Sequence, residues 1–251
     1  MRILVTFAVE AEFAPWRKRR SFTKHTIGDA RIPVYRTSFG NNAVEVLLTG
    51  IGIPSCTDSM TAYEAAKADK PDCVISAGLA GALKESMKPG DLFTPERVRR
   101  LKDEESAVAD PALREGAVQQ GATPTDTLIT MTRLVSTAKE KSRLSFFGEA
   151  VDMESAVIMA YFAKKGIPSV TVRAISDAAY EDLPVDFDRC LTPQGAIKPL
   201  SLVNEIVRRP GNLSNLVRFG RQSNQAAQEL IAFLDQFVVS LPAIREKAVM
   251  A

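Results

Sequence analysis

Short apolar runs of strand length, separated by stretches with helical spacing, constrain this chain more than any other feature. RILVTFA (2–8), VEVLLTG (44–50), DCVISAG (72–78), DLFTP (91–95), TLITM (127–131) and SVTVRAIS (169–176) are the strand candidates, most bounded by Gly, Pro, Asp or Asn. Between several of them lie SCTDSMTAYEAAKAD (55–69), STAKEKSRL (136–144) and MESAVIMAYFAKKG (153–166), the last ending in the helix-stop signal Lys164-Lys165-Gly166. Buried strands alternating with helices indicate an α/β sheet with parallel members, covered on both faces. Ligands of such sheets sit at the carboxyl ends of strands. Four groups of chemically able residues fall there: Glu10 with Glu12, TGIG (49–52), SAGLAGAL (76–83), and Ser176 with Asp177.

The C-terminal third differs, with no convincing strand from Gln194 onward. Leu230, Ile231, Leu234, Phe237, Val238 and Leu241 share one helical face over 226–241, which predicts a helix packed on the sheet. A chain of 251 residues, 45% hydrophobic, can bury a core without disulfides or metal. Cys56, Cys73 and Cys190 lack CxxC spacing and read as buried or free thiols in a reducing compartment. A net charge of +2 and 7% aromatics give no argument for nucleic acid. The start lacks the long apolar region of a signal peptide, and no stretch reaches the length of a membrane span, so a cytoplasmic protein is expected. His25 is the only histidine and lies in a polar, turn-like segment. Histidine triads and multi-histidine metal sites are thereby disfavoured, and acid–base chemistry must run mainly on carboxylates.

Each motif has a functional and a plain structural reading. GIGIPS (50–55) and GLAGAL (78–83) lack the third glycine of a dinucleotide loop and the Gly-Lys-Ser/Thr of a P-loop. Each reads as a tight strand-to-helix turn, or as backbone donors facing a sugar or anion. Glu10 and Glu12, if extended, share a face and point together at a cleft or at water; otherwise they are solvated acids opening a helix. PWRKRR (15–20) reads as a solvated charge run. In AVDMESA (150–156), Asp152 and Glu154 either complement a helix dipole or interrupt the core for chemistry. Arg173, in RAISD, is the natural partner of Glu154 if that strand meets that helix start.

In order along the chain, AVEAE, TGIG, SAGLAGAL with KPGD, VDMES and VRAISD resemble the nucleoside phosphorylase/nucleosidase superfamily. The likeness is strongest to the methylthioadenosine/S-adenosylhomocysteine nucleosidases and covers about residues 1–180. Residues 200–230 are similar to the basic tail of a narrower branch, the hopanoid-associated phosphorylases. The resemblance implies one α/β domain over 1–251: a core of about 1–180 with a mixed, partly barrel-like sheet flanked by helices, and a helical extension of about 194–251. It implies cleavage of the N-glycosidic bond of a purine nucleoside, no cofactor (phosphate being co-substrate if the enzyme is a phosphorylase), no metal, and a homo-oligomer, most simply a dimer.

By the same resemblance Asp177, beside Ser176, protonates the purine at N7, a role that asks for a raised pKa. Glu12 aligns the attacking water, Arg173 lies between the acids and helps place the nucleophile, and Glu154 grips the ribose hydroxyls over Met153. Val9, Ile51 and Gly78 are the further substrate contacts. Three departures are visible: Leu79 stands where the hydrolases carry Ser, Asp152 precedes the methionine, and LITMTRLVS (128–136) replaces the base-stacking loop, leaving Met131 or Val135 against the base. Hydrolysis of a 5′-modified adenosine leads. Phosphorolysis of an adenosyl compound such as an adenosyl-hopane precursor would need cations for the phosphate, with Arg17, Arg19 or Arg20 as candidates. A non-catalytic nucleoside-binding protein is the third reading. Arg208, Arg209, Arg218 and Arg221 amid apolar residues read either as a membrane-surface contact or as a helix packed on its own domain.

Overall fold

The first strand sets the architecture: RILVTF is buried at five of its six positions, the mark of a strand covered on both faces. A computed structural model describes residues 1–29, 31–66, 70–102, 105–185 and 213–250. In it β1 (Arg2–Phe7) lies parallel to both β4 (Asn42–Leu48) and β5 (Cys73–Ala82). β2 (Thr23–Ile27), β3 (Ile32–Phe39) and β4 extend that side as an antiparallel meander. On the other side the sheet closes on itself. β5 pairs with β10 (Ser169–Asp177) and with β9 (Ala150–Asp152), while β6 (Leu92–Arg100) and β8 (Thr123–Thr130) complete a ring of five strands. The short β7 (Ser106–Val108) pairs with β6. The expected mixed, partly barrel-like sheet in one α/β domain is the architecture found.

Helices α1 (Glu10–Arg19), α2 (Ile53–Ala65), α3 (Pro111–Gln119), α4 (Ala138–Leu144) and α5 (Ser155–Ala163) follow strands, and a long α6 spans Leu213–Met250. All six expected apolar positions of the C-terminal face, Leu230 to Leu241, are buried, so the 3.6-residue period located this helix correctly. Asp235 fastens it to α1: Trp16 Nε1 donates to Oδ1 at 2.8 Å, and Arg19 and Arg20 reach the same carboxylate at 3.1 Å each. The PWRKRR run is therefore a half-solvated helix end whose one apolar member, Trp16, is fully buried. Ser214–Ile244 holds a window long and apolar enough to cross a membrane, with mean hydropathy 1.3, contrary to the sequence expectation. Half of that window is buried within the domain, as in the core helix of a globular protein.

Several expectations are corrected. His25 stands in β2 rather than in a turn, on an edge hairpin whose polar residues face solvent. Glu10 and Glu12 are not extended; they open α1, where a two-residue step turns them apart. SAGLAGAL is no strand-to-helix turn: up to Ala82 it continues β5. Arg208, Arg209, Cys190 and most of the stretch before α6 lie outside the described residues.

Leu234, fully buried on α6, and Val239, exposed on the same helix, give a paired test of this packing. Leu234→Ala is expected to lower unfolding free energy by about 2–5 kcal/mol. Val239→Ala should change it by less than about 0.5 kcal/mol in the same urea titration.

Candidate active site

A cavity of about 210 Å³ opens where the carboxyl ends of β1, β5 and β10 meet the start of α5. Its walls include Val9, Glu12, Ile51, Met153, Glu154, Ser176 and Asp177, seven of the nine residues singled out from sequence. The other two, Arg173 and Gly78, lie behind the wall rather than in it.

Arg173 occupies the register position beside Gly78 on the adjacent strand and is almost wholly buried. A Cβ at position 78 would fall 2.0 Å from its Nη1 and 3.0 Å from Glu12 Oε1, so only glycine admits the guanidinium and this carboxylate together. Arg173 Nε and Nη2 hold Asp152 Oδ2 at 3.0 and 2.9 Å, and Nη2 also donates to Ser155 Oγ at 2.9 Å and towards Ser76 Oγ at 3.3 Å. Its ion-pair partner is thus Asp152, not Glu154. The reason is local. β9 ends at Asp152 with its side chain turned inward, where Thr130 Oγ1 donates to Oδ1 at 2.7 Å and the Ser155 N–H caps Oδ2 at 3.2 Å.

Glu154, two residues on, turns to the cavity and accepts from Gly52 N–H at 2.8 Å. Gly50 and Gly52 have φ of +78° and +80°, so the turn reading of GIG was right, and the Gly52 donor serves a carboxylate of the protein itself. Burial raises the Glu154 carboxyl, the charge of Asp152 adds to this, and Arg173 offsets part, leaving it near about 8. Glu12 accepts from the N–H groups of Ala8 (3.0 Å), Val9 (3.4 Å) and Leu79 (2.9 Å). Burial raises its carboxyl too, against the pull of Arg173 and those three donors. Glu10 instead faces outward, 2.6 Å from Arg17.

Asp177 ends β10, beyond a bulge between Ile175 and Asp177 that carries it opposite Gly81. Ser176 Oγ donates to its Oδ1 at 2.5 Å. On Oδ2, also at 2.5 Å, sits the Nζ of Lys141, a residue with no exposed surface that sequence reasoning passed over. Nothing in STAKEKSRL separates Lys141 from Lys139, because the contact spans 36 residues of chain. The remaining walls include Asp152, Arg133, Val135, Val151 and Leu183, the β5 residues Leu79 to Gly81, and, from α6, Phe219 and Ser223. Val135 lines the cavity as expected; Met131 packs behind it with Ile129 and Leu144.

Arg133 is the one cation among the described lining residues, and its guanidinium is engaged by Glu140. Arg17, Arg19 and Arg20 are paired with Glu10 and Asp235, away from the walls.

The family model described as the Phosphorylase superfamily matches residues 2–208. The chain belongs to the phosphorylase superfamily. It is 30% identical over 217 residues to a 5′-methylthioadenosine/S-adenosylhomocysteine nucleosidase of Geobacillus kaustophilus, covering 76% of this chain and 90% of that protein. A namesake from Shewanella halifaxensis is 25% identical over 183 residues, 63% of this chain and 80% of its own. Among solved structures, a Helicobacter pylori 5′-methylthioadenosine/S-adenosylhomocysteine nucleosidase mutant holding 5′-methylthioadenosine superposes with a TM-score of 0.71 at 18% identity, over 94% of this chain and 97% of that one. The futalosine hydrolase of the same organism gives 0.69 at 17% identity, over 95% and 97%. At these identities the two structures speak for the shared superfamily fold.

The Glu154 environment carries a measurable consequence. A carboxyl raised by folding keeps its proton where the unfolded chain has lost it, so it costs stability as pH climbs from the ordinary glutamate range to about 8. Glu154→Gln lacks that cost while its amide oxygen can still accept from Gly52. The melting temperature of the variant relative to wild type should therefore rise between about pH 5 and about pH 9. Parallel pH profiles would show that Glu154 is not so perturbed.

Proposed function

We propose that this protein is a purine nucleosidase that hydrolyses the N-glycosidic bond of a 5′-modified adenosine of the methylthioadenosine or S-adenosylhomocysteine type. The observation that carries this reading is the convergence of Glu12, Glu154 and Asp177 on one cavity whose neighbouring cations, among the described residues, are engaged by the protein's own acids and carbonyls. Departure of the purine leaves positive charge on the ribosyl group and negative charge on the base, so the chain needs a proton donor at the base and anions near the sugar. Asp177 is the donor to N7. Glu154, fixed by Gly52 N–H, receives the ribose hydroxyls with Met153 beneath the ring. Glu12, held by three backbone donors, orients the attacking water. The base lies against aliphatic side chains, Val135 and Val151 among them.

Phosphorolysis finds less support. A phosphate dianion would enter beside two carboxylates with no unengaged cation among the described lining residues to receive it. The relatives named nucleosidases point the same way. A homodimer remains part of the proposal by resemblance alone, and a cytoplasmic location remains the expectation drawn from the sequence. The membrane-surface role of the tail remains a second reading: Arg218 pairs with Glu181 at 3.2 Å, Val217 and Arg221 are exposed, and the buried apolar face of α6 lies farther along, from Ala226 to Leu241.

Incubation with methylthioadenosine, adenosylhomocysteine and adenosine, with and without phosphate, should release adenine together with free ribose sugar, at a rate indifferent to phosphate. Ribose 1-phosphate as the product would replace hydrolysis by phosphorolysis. Asp177→Asn should reduce kcat by about 100-fold or more with KM little changed, because an amide has no proton to give to the leaving base. Near wild-type turnover would remove Asp177 from the chemistry.

A further inference from the structure

Lys141 is the feature that neither the sequence motifs nor the proposed roles account for. A lysine without exposed surface is costly unless each of its donors is received. Here all three are: Asp177 Oδ2 at 2.5 Å, the Ala178 carbonyl at 2.8 Å and the Glu181 carbonyl at 2.9 Å. The arrangement is braced from both sides. Thr137 caps α4, Ala138 N–H donates to Asp182 Oδ1 at 2.7 Å, and Leu183 N–H donates to the Ser136 carbonyl at 2.8 Å. Thus α4 and the segment after β10 form one unit around the ammonium, and the acid assigned to the base is one of its three acceptors. With Ser176 on the other oxygen, Asp177 is a carboxylate receiving hydrogen bonds from a hydroxyl and a cation, where a general acid must give a proton away.

We infer that Lys141 is a positioning residue that supplies the proton Asp177 delivers, so that the acid of this site is the Lys141–Asp177 pair. The inference rests on the reading of Asp177 as the donor to the purine. In the step, a Nζ–H bond breaks and an O–H bond forms on Asp177. That carboxyl proton passes to N7 as the electron pair of the C1′–N9 bond enters the base. The products of the step are a lysine amine, an aspartate carboxylate and a base protonated at N7. Water adding to C1′ loses one proton to Glu12, Glu12 releases it to solvent, and solvent returns one proton to the Lys141 amine, so the cycle closes without a further reactant. Lys141 offers no spare donor to the substrate; it acts through Asp177.

Among the described residues, the charged groups around the pair are Glu181, Asp182 and Arg218 on its outer side, and Glu12, Asp152, Glu154 and Arg133 around the cavity. Arg173 stands behind that wall, and Glu140 shares α4 with Lys141. These groups are common to wild type and variants, so a comparison between them isolates Lys141.

Lys141→Gln keeps donors for the two carbonyls and removes the cation. With the pair intact, turnover should stay level across neutral pH. In the variant Asp177 must use a proton of its own, which a carboxyl loses as pH rises. The kcat is then expected to fall about 100-fold or more below wild type near pH 8 and less than about 10-fold near pH 5, with KM within about threefold at both. Loss by the same factor at both pH values would mean that Lys141 only shapes the loop, and would overturn the inference. Should the variant fail to fold, the wild-type protein decides. Its infrared difference spectrum against Asp177→Asn at neutral pH is expected to contain a carboxylate stretch, and a carboxylic-acid carbonyl stretch there would overturn the pair. An Asp177→Asn variant with wild-type turnover would instead sink the underlying role of Asp177, so the two failures are distinguishable.

Discussion

A single buried guanidinium organises the catalytic end of this fold. Arg173 lies in the strand that closes the five-stranded ring, and its charge must be met inside the protein because no water reaches it. Asp152 supplies the counter-charge and Ser155 and Ser76 receive other donors, so β9, α5 and β5 are all pinned to β10 by one side chain. The same cation faces two further acids, Glu12 and Glu154, and offsets only part of the cost of burying them. Burial raises both, and both lean on backbone N–H groups as well: three for Glu12 and Gly52 for Glu154. The glycines of the sequence motifs find their explanation there. Gly78 yields its side-chain volume to Arg173 and Glu12, and Gly81 lets the Asp177 carboxylate within 3.0 Å of where a Cβ would stand.

The strands and the site were not equally legible in the sequence. Six apolar runs were strands, because burial on both faces selects Val, Ile and Leu whatever their partners. The β2–β3 hairpin went unread, since TKHTI lies at a sheet edge and carries polar residues on most of its positions. The second half of β5 was masked by its own composition, Gly and Ala having little strand preference. The opening of α3 did carry a signal, Asp110 followed by Pro111, and Asp110 does cap Leu113 N–H at 3.0 Å. At the site, residues at strand ends could be named from position alone. Asp152 and Glu154 could not be told apart, since their roles depend on which of two neighbouring acids turns toward Arg173. Lys141 and the α6 residues Phe219 and Ser223 reach the cavity from elements with no chemical signature, and only tertiary structure brings them there.

The placement of charge also separates the two nucleophiles on physical grounds. Among the described residues, the cations at the cavity are bound to acids of the same chain: Arg173 to Asp152, Lys141 to Asp177, Arg133 to Glu140. To admit phosphate, one of these pairs would have to open and leave a carboxylate unmatched in a desolvated wall. Water asks for no such exchange. What remains beside the position proposed for the sugar is Glu12 and Glu154, two carboxyls that burial has raised. In their ionised form they stabilise a ribosyl cation more than the neutral nucleoside that precedes it. Positive charge developing on the sugar favours that ionised form in turn, so the cost of burying these carboxyls is offset most where the ribosyl cation forms.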